Sequence, residues 1–371
     1  MKRYLLIYSL LCAGITMQAQ TLFPVEVKGK FGYMNNEGSI SIPAIYDYAD
    51  DFSEGHAVVA LNRMPCLINM QNKRIIDTGL YQNIGMLSEG LISVTDFKRN
   101  KYYINLKNEP VIQLPGNTYE ARTFRHGYAV VSRQVEYHET KFGKDVGTVI
   151  FVFGYIDRSG RQVSSFDYED ADDFFNGFAR VKKGGRFGMI NTRMQEVIPA
   201  QFERVGDVSQ NRIVVSENNK FGALDTNGRW AIKPVYELLF PATDGMLGFM
   251  QKNQFGFIDV NGGEKVPAVY AAIKPFAEGK AAVLKDGKWG FINASNEWVL
   301  RNVFDDASVF SEGMCAILYK RQWGFIDATG KVVIPTQFDA VGSFSNGIAD
   351  VVYRDIPLYI NKRGEFLPIL K

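Results

Sequence analysis

Acidic side chains return along this chain at a fixed interval, so they are the first place to look for chemistry. Asp157, Asp225, Asp259 and Asp327 form one set; Asp47, Glu203, Glu237, Asp305 and Asp339 form another. Two carboxylates flanking one bond can act as general acid and general base. A residue that appears once per repeat is placed by architecture, however, and hydrogen bonding inside turns accounts for both sets. The histidines are His56, His126 and His138, and no Gly-x-Ser-x-Gly elbow accompanies them. His56 and His126 stand in glycine turns, where they read as solvated. His138 lies between Glu136 and Glu139, ligand types for a metal at a spacing that is not diagnostic of one. The cluster Asp170, Asp172, Asp173 lacks the ligand order and glycine of a calcium loop. Cys66 and Cys315 stand far apart without metal-type spacing and read as two buried thiols. No phosphate-cradling glycine loop leads into a helix. The expectation is a chain with no catalytic residue, no metal and no cofactor.

Aromatic residues at a variable register are better candidates for contact with a ligand. Trp230 and Trp298 are 68 residues apart and occupy equivalent places at the start of a strand, where other units carry Ile40, Arg74, Gln162, Glu196, Glu264, Val332 and Phe366. Mixed chemistry at one register implies partial exposure, and an exposed indole can stack on a sugar or receive a partner's side chain. The competing reading is packing against the next unit. Tyr137 and His138, in an insertion, are the other candidate contacts.

The elements that must position these residues repeat. Lys288-Trp289-Gly290-Phe291-Ile292-Asn293 returns as Gln322 to Asp327, Gln254 to Asp259, Lys220 to Asp225, Arg186 to Asn191 and Phe153 to Asp157. The central glycines Gly154, Gly188, Gly222, Gly256, Gly290 and Gly324 fall 34 residues apart. Gly32 opens the series, and units at Cys66, Tyr103 and Tyr359 carry worn copies, which makes ten. The third unit is longer than its neighbours, and the excess near 132–149 predicts an elongated hairpin.

Helix pairs of the same period are excluded by composition. Glycine recurs along the units and proline at 43, 199, 234, 267 and 335, and each would cost a helix interior about 1 and about 3 kcal/mol respectively. The segments between are short, β-branched and aromatic, so each unit reads as three antiparallel strands. The third ends at a proline such as Pro335. Asp-Gly and Asn-Gly turns supply the positive φ that tight hairpins need. Asn211, where the other units have glycine, indicates a backbone requirement there. The ring before each central glycine is expected in the core, with a neighbouring ring covering the glycine.

A hydrophobic fraction of 46% with 13% aromatic residues excludes disorder. Met1-Lys2-Arg3, an apolar run to Ile15 and the small Ala19 read as a cleaved export leader over 1–20, with 21–371 as the repeat array. Leu11 is bulky where a lipoprotein signal ahead of Cys12 has a small residue, so cleavage after Ala19 or Gln20 is the expectation. Without Lys2 and Arg3 the chain balances 40 bases against 40 acids, which argues against nucleic acid and anionic lipid as partners. No later apolar run reaches the ~20 residues of a membrane helix.

The Trp-Gly pairs at Trp289-Gly290 and Trp323-Gly324, with Val333-Ile334-Pro335, Phe338-Asp339 and Phe310-Ser311-Glu312-Gly313, resemble the WG (KWG) β-strand repeat family of bacterial proteins. The resemblance covers nearly everything after the leader, whose Met-Gln-Ala-Gln end is similar to that of Bacteroidetes-type exported proteins. It implies an all-β array and no particular activity. The expected architecture is a curved solenoid of three-strand repeats. A closed propeller is the alternative, its blades usually four-stranded and about 40–45 residues long. The expected function is a non-catalytic scaffold for a protein partner in the periplasm or at the cell surface, with glycan binding through Trp230 and Trp298 as the alternative.

Overall fold

The computed structural model describes residues 22–367 except 36 and 142–143; the leader and Cys12 lie outside the described residues. The described chain forms strands, tight turns and connectors, in ten antiparallel sheets that follow one another along the sequence. We number them 1 to 10, over residues 22–46, 48–76, 83–113, 118–157, 170–202, 204–236, 238–270, 272–304, 306–338 and 340–361.

Most sheets have four strands, one more than the repeat pattern indicates. The extra member is a lead strand usually of two residues, such as Asp306–Ala307, which carries no readable periodicity. Sheet 9 continues with Met314–Tyr319, Gln322–Asp327 and Val332–Phe338 in a simple meander.

The fourth strand does not stop at its proline. Phe325 pairs with Ile334 and Trp323 with Phe338, so the fourth strand carries two more residues than its partner between those pairs. Pro335 sits in that bulge, where no ladder N–H is required. The bulge crosses directly over the central glycine. A β-carbon on Gly324 would come within 2.7 Å of the Ile334 carbonyl oxygen and the Thr336 nitrogen, and Gly32, Gly188, Gly222 and Gly256 meet backbone in the same way. Backbone therefore excludes a side chain there, rather than a ring covering a gap. At Gly154 and Gly290 a ring (Phe166, Trp298) does close in alongside the backbone.

The core lies between sheets. The fully buried ring is the one after the glycine, and it meets an aromatic of the next sheet's connector: Tyr33 with Phe52, Tyr103 with Phe124, Tyr155 with Phe174, Phe257 with Phe276, Phe291 with Phe310, and Phe325 with Phe344. Ring centroids in these pairs are 4.6–5.2 Å apart. Each pair buries roughly 300–500 Å², so separating two sheets would expose surface worth several kcal/mol. The hydroxyls of Tyr33, Tyr103 and Tyr155 donate to the carbonyls of Asp50, Arg122 and Asp172. Burial without loss of hydrogen bonding explains why tyrosine serves as well as phenylalanine.

The array is closed. Val25 and Met34 of sheet 1 share one apolar cluster with Ile348 and Leu367 from the other end of the chain. The molecule is thus a ten-bladed β-propeller, and the open solenoid expected from the repeat length is incorrect. Neighbour-to-neighbour packing, the physical basis of that expectation, holds at every joint including the last.

Candidate functional site

The repeated acids are architectural. Asp225 Oδ1 accepts the N–H of Asn227 at 2.8 Å and of Arg229 at 2.9 Å, and Asp157, Asp259 and Asp327 do the same in their turns. Asn69, Asn191, Asn293 and Asn361 fill the same slot with the same two bonds, so the slot needs one acceptor oxygen and no ionisable group. The turn donors hold these carboxyls below the usual aspartate range; a backbone N–H leads at Asp225 and Asp259, a hydroxyl at Asp157 and Asp327. The second set, including Asp47 and Asp305, receives Lys30 and Lys288 across the sheet and a backbone N–H besides.

A third recurring polar position links neighbouring sheets at the turn that follows each connector. Glu54 accepts the N–H groups of Glu89 and Gly90, Glu89 that of Gly127, Gln210 that of Gly245, Asp244 that of Gly279, Glu278 that of Gly313, and Glu312 those of Asn346 and Gly347. Turn is tied to turn around one rim. Asn211 has φ +59° in this rim, as a residue replacing glycine there must.

Trp230 is 41% exposed and lies edge-to-face on Phe202 of sheet 5, while Trp298 lies edge-to-face on Tyr270 of sheet 7. Both indoles pack on the preceding sheet, and with a full sheet between them they form no common platform. Tyr137 and His138 lie on the long hairpin Tyr128–Lys141/Lys144–Asp157. Tyr137 is 51% exposed, and His138 Nδ1 is 3.1 Å from Asp145. Among the described residues, no group of three or more His, Cys, Asp or Glu is placed to hold a metal ion.

Not every joint has a ring pair: sheets 2 and 3 meet through Leu67 and Leu87, sheets 5 and 6 through Met189 and Val208, and sheets 6 and 7 through Ala223 and Ala242. A cavity of about 430 Å³ opens over sheets 5 to 7, lined by Phe187, Phe221, Arg180, Arg204, Gly206 and Val214. Pro241 closes its end and also begins a second, apolar cleft of about 260 Å³ between Phe240, Gly248, Phe257, Ile273 and Pro275. The two cavities share Pro241 and are called the groove.

The ring before the central glycine, expected in the core, is only half-buried at Phe187 and Phe221, which form the groove wall, and is buried at Trp289. Each carries a cation: Arg180 and Lys182 lie over Phe187, Arg204 over Phe221 and Lys274 over Trp289, at 5.3–5.9 Å from the ring centroids. Phe240 takes that place over Phe255, and Phe240 remains 40% exposed. Sequence reasoning missed these residues because the small residue that opens the cleft, Gly248, stands where other sheets carry a side chain, and an absent side chain leaves no mark.

A second cavity, of about 510 Å³, lies between Ser88, Glu89, Arg125, His126, Asp173 and Phe174. Burial holds the Asp173 carboxyl above its usual range despite Arg122 and Arg125 nearby, and its Oδ1 has no hydrogen-bond partner.

A closed ring of like sheets with one irregular groove defines a repeat module of the propeller class. The family model described as "WG containing repeat" matches residues 31–63, 153–187, 187–221, 221–254, 255–289, 289–320 and 323–355, more than half of the chain, and the chain belongs to that family. Its fold is similar to a solved structure titled "Crystal structure of the eukaryotic initiation factor", at TM-score 0.51 and 11% identity, covering 94% of this chain and 95% of that one. BamB from Moraxella catarrhalis aligns over 91% of this chain and 98% of its own at TM-score 0.33 and 9% identity. Identities this low speak to fold alone. No curated protein matches the chain in sequence. No helix among the described residues is long and apolar enough to cross a membrane.

Proposed function

We propose that this protein is a non-catalytic binding scaffold that presents the groove over sheets 5 to 8 to a protein partner. The observation that carries the reading is the open, aromatic-walled surface over these sheets. Phe187 and Phe221 wall the larger cavity beneath Arg180 and Arg204, and Phe240, beside the apolar cleft, is 40% exposed. Exposed apolar grooves walled by aromatics and arginine are the composition of protein-binding surfaces. Export to the periplasm or cell surface is part of the proposal, supported by the basic and then apolar start from Met1 to Ile15. Glycan binding through Trp230 and Trp298 has less support, since each indole is partly covered by a neighbouring sheet.

The test is site-specific photo-crosslinking in the full chain, expressed in a bacterium with an outer membrane. A photoreactive residue at 221 or 240 should give one discrete protein adduct, and one at 332, on sheet 9, should give none. Equal adducts at all three sites, or none at the groove, would remove the scaffold reading.

A further inference from the structure

We infer that the groove takes an extended peptide segment carrying an acidic side chain and a large apolar one, the acid at Arg204 and the apolar group in the cleft beyond Pro241. This deepens the scaffold reading and rests on it.

The charge argument begins with what Arg204 lacks. Its neighbours are paired: Arg180 with Asp172 at 2.5 Å, Arg186 with Glu203 at 3.5 Å, Lys182 with Glu169 at 3.7 Å and Lys183 with Asp167 at 2.5 Å. Arg204 is exposed and has no carboxylate within 4.0 Å among the described residues. Its guanidinium carbon lies over the Phe221 ring, 5.9 Å from the centroid. A guanidinium without a carboxylate partner has N–H donors to offer a carboxylate on two bonds.

The shape argument concerns the other half. Gly206 and Gly248 remove the side chains that would fill the floor, and a β-carbon on Gly248 would come within 2.6 Å of Ile273 Cδ1. Pro241 and Pro275 make stiff walls, so little rotamer freedom is lost on binding. A cleft of about 260 Å³ suits one large side chain, not a folded element.

Recognition must come from side chains. The lead strand of sheet 6, Arg204–Ser209, is an edge on which a peptide could add a strand, but its carbonyls are already engaged. Val205 accepts from Arg180 and Val208 from Asn176. A nucleic acid would need a row of open cations, and here their neighbours are neutralised.

The experiment is selection of a phage-displayed random dodecapeptide library on the full chain. Binding of the winning peptides, made synthetically with a fluorescent label, is then measured by anisotropy. Enriched peptides should pair Asp or Glu with a nearby Leu, Ile, Met or Phe. Arg204→Glu should weaken them at least tenfold without moving the melting temperature, and exchanging the peptide's acid for lysine should restore binding to that variant. Pro241→Asp should weaken them to a similar extent. Winners without an acid, failure to enrich any peptide, or binding indifferent to Arg204→Glu would overturn the inference. If the photo-crosslinked adduct at 221 survives Arg204→Glu, the scaffold stands while the acidic-peptide assignment falls; loss of adduct and peptide together supports both.

Discussion

Gly38 and Leu367, near opposite ends of the chain, are in contact: a β-carbon on Gly38 would lie 2.7 Å from the leucine Cβ. The same contact occurs inside the array, where Gly262 sits on Ile232, Gly330 on Leu300 and Gly364 on Ile334. Sheet 10 thus meets sheet 1 as any sheet meets the next. The ring closes because its terminal joint uses the ordinary repeat contact, with Val25, Met34 and Ile348 completing the cluster.

Gly38→Val should therefore cost more than the same change at Gly55. Both glycines have positive φ, +84° and +73°, but nothing lies within 4 Å of a β-carbon at Gly55. The backbone penalty is common to both, and overpacking against Leu367 adds about 1–3 kcal/mol at Gly38 alone. Urea unfolding measures the difference. Equal losses would mean that the seam contributes nothing.

The repeat was legible because the bulge over Gly324 tolerates no side chain, and that constraint recurs at Gly32, Gly188, Gly222, Gly256 and Gly290. The asparagine at 211 and the turn role of Asp225 were legible for the same reason. Closure was not, because Leu367 meets Gly38 through curvature accumulated over ten sheets, which no local window contains. The two-residue lead strands left no pattern. The groove was hidden since its marks are absences: no side chain at Gly206 and Gly248, no ring at Ala223 and Ala242.

The rim of linked turns predicts a contrast at one position. Glu278 receives the Gly313 N–H on both oxygens, while Gln210 performs the same task for Gly245 with one amide oxygen. Glu278→Gln should leave unfolding nearly unchanged, and Glu278→Ala should cost about 1 kcal/mol by leaving the donor to water. Chemical denaturation of the two variants decides it.

The turn aspartates predict the direction of acid sensitivity. Their folded pKa values are lowered, so the stability they contribute is complete above the unfolded value near ~4 and is lost as pH falls through the folded values. Asp225→Asn should match the parent at pH 7, since Asn191 already serves in that slot, and should soften the loss below pH 4. Thermal midpoints across pH 2.5–7 test this. A steeper acid limb in the variant would contradict the assignment.

Asp173 carries the opposite sign. Its folded pKa is raised, so the native state binds the extra proton and stability declines as pH rises from the unfolded value to the folded one. Asp173→Asn removes that decline. The variant's advantage over the parent should grow as pH rises above the unfolded value near ~4 and be flat above the folded pKa. An advantage that shrinks over that interval would show the carboxylate to be stabilised in place by Arg122 and Arg125.

The two thiols report on the joints between sheets. Cys66 packs with Tyr33 and Ile42 of sheet 1, and Cys315 with Phe291 of sheet 8, so each is covered by the neighbouring sheet. Burial raises both thiols, Cys315 to about 12, and the thiolate is the reactive form. Labelling by a disulfide reagent at pH 8 should therefore wait on opening of a joint. The joint covering Cys66 is one sheet from the seam and the joint covering Cys315 is two, so Gly38→Val should speed labelling of Cys66 several-fold and that of Cys315 less. Equal acceleration at both sites would mean that the ring opens as one unit rather than from its seam.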